Sequence, residues 1–282
     1  MSEEIDQKVF EGERALFKHE DLDIRNSVFQ NGESPLKECR NISLENTLFR
    51  WKYPMWYGEY FTLKHCTLFE NARAGIWYSK YIAMYDTDVQ APKNFRRSKR
   101  IVLENVTFSN ADETLWHCTD VRMKNVSARG NYFAMNSSEL DIDGLRLDGN
   151  YSFDGARDLV IRNSRLLSKD AFWNAENVEV RDSYVLGEYL GWNSKNVTLI
   201  NCVIESNQGM CYMDNLRLEN CRLISTDLAF EYSTVNADIR GCVDSIKNPV
   251  SGRIEADDIG QIIFDDPEIS RESTDIAVRR GI

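Results

Sequence analysis

Leu22-Asp23-Ile24-Arg25-Asn26 sets two apolar residues at alternate positions and ends on asparagine. The phrase returns as Ile42-Ser43-Leu44-Glu45-Asn46, Val197-Thr198-Leu199-Ile200-Asn201 and Leu216-Arg217-Leu218-Glu219-Asn220. Aligning the chain on its last residue gives Asn26, Asn46, His65, Asp86, Asn105, Asn125, Gly144, Asn163, Asp182, Asn201, Asn220 and Gly241, at intervals of nineteen to twenty-one. A period of this length held over nearly the whole chain marks a stack of repeats.

Alternation over four positions is the period of a strand buried on one face. Asn, Asp and Gly then tolerate a left-handed backbone at low cost. A short second strand follows the bend, as in Val28-Phe29, Leu48-Phe49, Leu166 and Val203-Ile204. A third precedes the phrase, as in Gly75-Ile76-Trp77-Tyr78 and Ala171-Phe172-Trp173. No repeat leaves room for a helix. A leucine-rich repeat would place its Asn three residues past the last strand apolar, whereas here it follows by two, and the six-residue subperiod of a left-handed β-helix is absent. The spacing predicts an all-β, single-stranded right-handed parallel β-helix of about twelve rungs. Its expected span is 8–264, one solenoid without a linker. Residues 265–282 leave the pattern and read as a C-terminal tail or cap, with a short helix through Thr274-Arg280.

The formal charge of −11 opposes general binding of nucleic acid. Met1 to Gln7 is acidic, and no run approaches the ~18 apolar residues of a membrane span, so the expectation is a cytoplasmic protein without a membrane partner. Of seven cysteines, Cys66, Cys202, Cys221 and Cys242 share the position after the bend, where small inward residues stack. No Cys/His spacing suits zinc, and neither metal nor cofactor is expected. Lys93, Arg96, Arg97, Lys99 and Arg100 fall in one rung, either as a positive lip for a carboxylate or phosphate or as a solvated turn. Columns such as Glu45, Lys64, Glu104 and Lys124 mix signs, as on a charge-paired exposed face.

Stacking makes neighbours of equivalent positions, so chemistry is sought in columns. Counting back five from each phrase gives Phe17, Lys37, Trp56, Trp77, Arg96, Trp116, Met135, Asp154, Trp173, Trp192, Cys211 and Tyr232, which holds five of the six tryptophans. The preceding column, including Leu36, Met55, Ile76, Phe95 and Leu115, is apolar and should point inward. Alternation then turns the tryptophans outward as a stacking platform for sugar rings. The other reading packs them into core corners or under loops. In the first rungs Glu13, Glu33 and Lys52 align. Two carboxylates roughly 5 Å apart match a retaining glycosidase pair, with mutual repulsion keeping one protonated as an acid. Alternatively, Lys52 and Arg14 neutralise both in a structural ladder. His117, beside Trp116 and near Asp112, Glu113 or Tyr78, is a chemically credible general base.

Gly12-Glu13-Arg14-Ala15-Leu16-Phe17, Glu33-Ser34-Pro35-Leu36-Lys37 and Trp51-Lys52-Tyr53-Pro54-Met55-Trp56-Tyr57-Gly58 resemble segments of an uncharacterised bacterial family, a domain of unknown function among the pectate-lyase-like right-handed β-helices. The resemblance spans almost the whole chain. It implies the fold and no activity. In the wider superfamily, similar in the repeat alone, carbohydrate-active enzymes use the outer face of the strand preceding the first turn, which here carries the tryptophans. The clustered aspartates of polygalacturonases reduce to Asp154, and the acidic cluster of calcium-dependent lyases has no counterpart.

These readings converge on a carbohydrate-binding or carbohydrate-active β-helix. Its expected ligand contacts are Trp56, Tyr57, Trp77, Tyr78, Arg96, Arg97, Trp116, Asp154, Trp173 and Trp192. If it is an enzyme, a glycoside hydrolase or lyase, Glu13, Glu33, Lys37, Lys52 and His117 would carry the chemistry, with an oligosaccharide as partner. The alternative is a non-catalytic scaffold using the same face for a protein partner or for homo-oligomerisation.

Overall fold

The computed structural model describes residues 2–279, which divide into two compact units, Met1–Arg146 and Leu147–Ile282. The architecture is a right-handed parallel β-solenoid of about fifteen turns. The expected number was lower because the outermost turns lack the Asn phrase. Strand Glu3–Asp6 pairs with Glu20–Arg25 in the first unit, and in the second Ser251–Ala256 and Thr274–Val278 pair. Thr274–Val278 is therefore a strand, where the sequence predicted a short helix. Parallel pairing satisfies its backbone as a helix would and also covers the exposed edge of the preceding turn. Arg280, the end of that expected helix, lies outside the described residues. The regular helical geometry among the described residues is one 3₁₀ turn, Arg271–Ser273. No helix among them is long and apolar enough to cross a membrane.

In the first unit the long strands stack in strict register, with Leu22, Ile42, Phe61, Ile82, Ile101, Val121 and Leu140 directly above one another. Each is at most 2% exposed. Burying one such side chain contributes roughly 1.5–3 kcal/mol, and every turn repeats the gain against its neighbours. Phe10, Phe29 and Phe49 form a second internal file, with centroids 4.6 and 5.0 Å apart. In the second unit Val178, Val197, Leu216 and Val235 repeat the arrangement.

The bend residues adopt the backbone their chemistry tolerates. Asn26, Asn46, His65, Asp86, Asn105 and Asn125 have φ between 47° and 54°, and Asn163, Asp182, Asn201 and Asn220 between 48° and 53°. The next residue turns inward, and where it carries a polar hydrogen it donates to the carbonyl two positions back, Ser27 Oγ to Arg25 at 2.6 Å, Thr47 Oγ1 to Glu45 at 3.0 Å and Cys66 Sγ to Lys64 at 3.3 Å, whereas Val106 and Val126 fill the same position with apolar groups. Cys202 and Cys221 make the same bond, to Ile200 at 3.3 Å and Glu219 at 3.5 Å, so a cysteine serves at this position as serine and threonine do. Cys66, Cys202 and Cys221 are buried as expected. Cys242 is exposed, because the register shifts between Leu218 and Cys221 and the strand after Gly241 belongs to a separate two-stranded sheet.

The third segment of each turn is not a regular strand. Around Arg96 it holds only the isolated bridges Trp77–Arg96 and Arg96–Trp116. Lys93, Phe95 and Arg97 all have positive φ, and left-handed residues at alternate positions prevent a continuous extended ladder.

Candidate functional site

Leu36, Met55, Ile76, Phe95 and Leu115 of the first unit are fully buried, each immediately before Lys37, Trp56, Trp77, Arg96 and Trp116. The tryptophans accordingly stand outside the core, half-buried. Their orientation differs from a flat platform. Trp56 and Trp77 stack at 5.0 Å with planes 6° apart, and the Arg96 guanidinium carbon lies 4.6 Å from both the Trp77 and Trp116 centroids. Nε1 of Trp56, Trp77 and Trp116 donates to the carbonyls of Ala74, Lys93 and Tyr132 at 2.6, 2.8 and 2.7 Å. Turns about 4.8 Å apart bring rings to stacking distance, so Trp56 and Trp77 turn faces onto each other and Trp77 and Trp116 each turn a face onto Arg96.

Arg96 Nη2 donates to Glu113 Oε2 at 3.0 Å, and Lys93 Nζ meets Glu113 Oε1 at 3.0 Å. Arg96 is thereby a clamp between two indoles, with Nε buried and lacking an acceptor. Arg100 reaches the Tyr81 hydroxyl and lies 3.8 Å from Asp120. Of the five cations in this rung, Arg97 and Lys99 are exposed and make no ion pair within the described residues.

One residue beyond the tryptophans, Glu38, Tyr57, Tyr78, Arg97 and His117 form a file. The amides of Tyr57, Tyr78 and Arg97 donate to Trp77, Arg96 and Trp116 at 2.9, 2.8 and 2.9 Å. Every member has φ between 50° and 60°. Tyr57 and Tyr78 stack at 5.0 Å and 8°, and remain 48% and 39% exposed. Three residues further on, Tyr60 and Tyr81 stack at 4.4 Å and 12°. The sequence reading missed this pair, although aligning the residue before each strand's first apolar position, Asp21, Asn41, Tyr60, Tyr81, Arg100 and Asp120, exposes it.

Glu13, Glu33 and Lys52 are in register, as the amide bonds Arg14 to Glu33 and Ser34 to Lys52 require. Glu13 pairs with Arg14 at 3.3 Å and Glu33 with Lys52 at 3.2 Å, which is the neutralised ladder. Lys37 lies 3.9 Å from Glu38 and 5.7 Å from the Tyr57 centroid. His117 is exposed, and its imidazole makes no hydrogen bond or ion pair among the described residues, while its amide donates to the Met135 carbonyl at 3.0 Å. Asp112 is engaged by the Asn131 amide and Glu113 by Arg96 and Lys93, while Arg97 separates His117 from Tyr78. Beneath Trp116, burial pushes the Cys118 thiol up to about 12, so it is held neutral.

In the second unit Asp154 accepts from Asn174, which accepts from Asn193, both at 2.9 Å. Asp154 starts a hydrogen-bonded ladder. Trp173 Nε1 donates to the Tyr189 carbonyl at 2.7 Å, and Trp192, 38% exposed, packs 4.5 Å from Tyr212. Cys211 keeps the predicted register of the column but is buried, and the neighbouring Tyr212 is the ring that packs on Trp192. Among the described residues no three His, Cys, Asp or Glu side chains gather as a metal ion would need.

Comparison with solved structures finds similarity to the A-module of the mannuronan C-5 epimerase AlgE6 of Azotobacter vinelandii, at 10% identity over 99% of this chain and 92% of that chain, with a TM-score of 0.40. The surface adhesin PfbA of Streptococcus pneumoniae is similar at 9% over 97% and 83%, with a TM-score of 0.41. The catalytic domain of a GH87 α-1,3-glucanase is similar at 9% over 99% and 63%, with a TM-score of 0.33. At such identities no residue or activity passes from these proteins to this chain. No curated protein matches significantly. Residues 3–277 match one family model, and the chain belongs to that family, described as a protein of unknown function (DUF3737).

Proposed function

We propose that the protein is a carbohydrate-binding β-helix whose ligand lies along the outer face of the first unit, over Tyr57 and Tyr78. The carrying observation is the exposure of these two stacked rings, held in fixed positions by the turns they belong to. Ordered tyrosines offer an apolar edge and a hydroxyl while losing little conformational entropy on binding. Recognition rather than bond cleavage suits the neighbouring groups, since Glu13 and Glu33 are each committed to a cation.

The register supplies a clean variant. The corresponding left-handed positions of the second unit hold Asn174 and Asn193, so asparagine suits this backbone. Tyr57→Asn with Tyr78→Asn removes a stacking contact of about 0.5–1.5 kcal/mol and, because asparagine tolerates a left-handed backbone better than tyrosine, relieves part of its strain in return. Folding stability should change little. In calorimetry across an oligosaccharide panel, the parent chain should bind at least one glycan and the variant should not. A parent that binds no glycan and scatters light as a stable dimer, with these tyrosines occluded, would replace this reading with the scaffold.

A further inference from the structure

We propose that the ligand is an acidic polysaccharide, recognised by charge and hydrogen bonds at two parallel Tyr-Tyr-Arg files; this deepens the carbohydrate reading and rests on it. Tyr57, Tyr78 and Arg97 occupy three successive turns, and Tyr60, Tyr81 and Arg100 occupy the same turns three residues further along. All six have left-handed backbones, with φ between 50° and 61°. The second unit fills the equivalent positions with Gly155, Asn174, Asn193 and Tyr212 in one file and Asp158, Asn177, Asn196 and Asn215 in the other, so tyrosine occupies both files only in the turns of Tyr57 with Tyr60 and Tyr78 with Tyr81. Local preference is thus overridden at both edges of the same turns. Coincident departures from what the backbone favours are expected where a site is built.

The rings define what the site accepts. Tyr57 is covered by Tyr78 on one side and approached by Lys37 Nζ at 5.7 Å. Tyr60 and Tyr81 lie between Arg40, 5.4 Å from the Tyr60 centroid, and Arg100, 4.8 Å from that of Tyr81. With these faces occupied, and only the far face of Tyr78 without a ring or cation against it, the files offer no continuous open platform for stacking successive nucleobases or sugars. Phenol edges, hydroxyls and cations are what remain.

Between the files run Glu59, Lys80 and Lys99 in register. Lys80 is held by Glu59 at 2.8 Å, while Arg97 and Lys99 are exposed without an ion pair among the described residues. Unpaired cations in a chain of charge −11 offer an anion a local attraction that the whole molecule does not. Successive turns repeat at about 4.8 Å, which suits a linear polymer carrying negative charge on its repeating unit. Overall charge and covered ring faces disfavour single-stranded nucleic acid.

The test is calorimetry of the full chain at low salt with polygalacturonate, its methyl ester, heparin and single-stranded DNA. Polygalacturonate should bind, the neutral ester should bind at least about tenfold more weakly, and Arg97→Asn with Lys99→Thr should cost polygalacturonate about tenfold or more with an unchanged melting temperature. Equal binding of the two pectins, or no effect of the double variant, overturns the acidic preference and leaves the carbohydrate reading intact. Binding of heparin as well supports the acidic-polysaccharide class, whereas equal binding of DNA overturns it in favour of unselective polyanion attraction. Absence of binding to every glycan sinks both proposals together.

Discussion

Arg96 shows how one side chain can appear functional in sequence and structural in space. It sits in a basic run, yet its two faces cover Trp77 and Trp116 and its Nη2 is committed to Glu113. Arg96→Met should lower stability by about 1–3 kcal/mol in urea unfolding, because two indoles lose a cation and Glu113 keeps only Lys93. Arg97→Asn, one residue away and outward, should stay within about 0.5 kcal/mol of the parent. Comparable losses in the two variants would contradict the assignment. The bend residues were readable from sequence because tolerance of positive φ belongs to the residue itself. Ring orientation was not, since it depends on the identity of the residue one turn away. Tyr60 and Tyr81 escaped notice for a third reason: their position is one that strands usually fill with Asp or Asn, and a tyrosine there passes for an ordinary β-former.

At the scale of the element, the side chains at the bends form directional files. Asn125 Nδ2 donates to Asn105 Oδ1 at 3.3 Å and Asn105 Nδ2 to Asp86 Oδ1 at 3.0 Å. In the second unit Asn220 donates to Asn201 at 2.8 Å and Asn201 to Asp182 at 3.0 Å. Aspartate begins these files because it only accepts, whereas an interior member must do both. Asn105→Asp therefore sets one carboxylate against another and should cost about 1 kcal/mol or more, a loss that shrinks as salt is raised. Adding Asp86→Asn should recover part of it. A salt-independent loss would mean that backbone preference, not the file, selects asparagine there.

The last turns of the second unit are held by a charged clasp in which Arg279 meets Asp238, Glu255 at 3.2 Å and Asp257 at 2.5 Å. The hydrogen bond from Arg279 holds Glu255 below its ordinary 4.5. The Gly241 amide holds Asp257, and the Glu268 amide Asp266, below the ordinary 3.8. Depressed values mean stability that is present above the unfolded carboxylate range and lost as pH falls through the folded values. Hydrogen exchange, corrected for intrinsic rates, should show Ser251–Ala256 and Thr274–Val278 losing protection as pH drops below 4.5. Arg279→Gln should flatten that dependence, and an unaltered profile would show that the clasp is idle.

Over the molecule as a whole, the period carried the architecture, because a parallel stack converts a sequence interval directly into a neighbour. The turns at the ends were harder to read. Strands Glu3–Asp6 and Thr274–Val278 lack the Asn phrase and hold their places by backbone pairing, which leaves little trace in residue type. The candidate site was legible in part: Tyr57, Tyr78 and Arg97 followed from the column, whereas the open indole faces it promised are covered by their neighbours. The central claim is that a glycan lies across the tyrosine files of the first unit, and oxidative footprinting with saturating polygalacturonate tests it most directly. Protection should concentrate at Tyr57, Tyr60 and Tyr78 and spare Trp192 and Tyr212; protection at the latter pair, or none at the tyrosine files, would contradict the account.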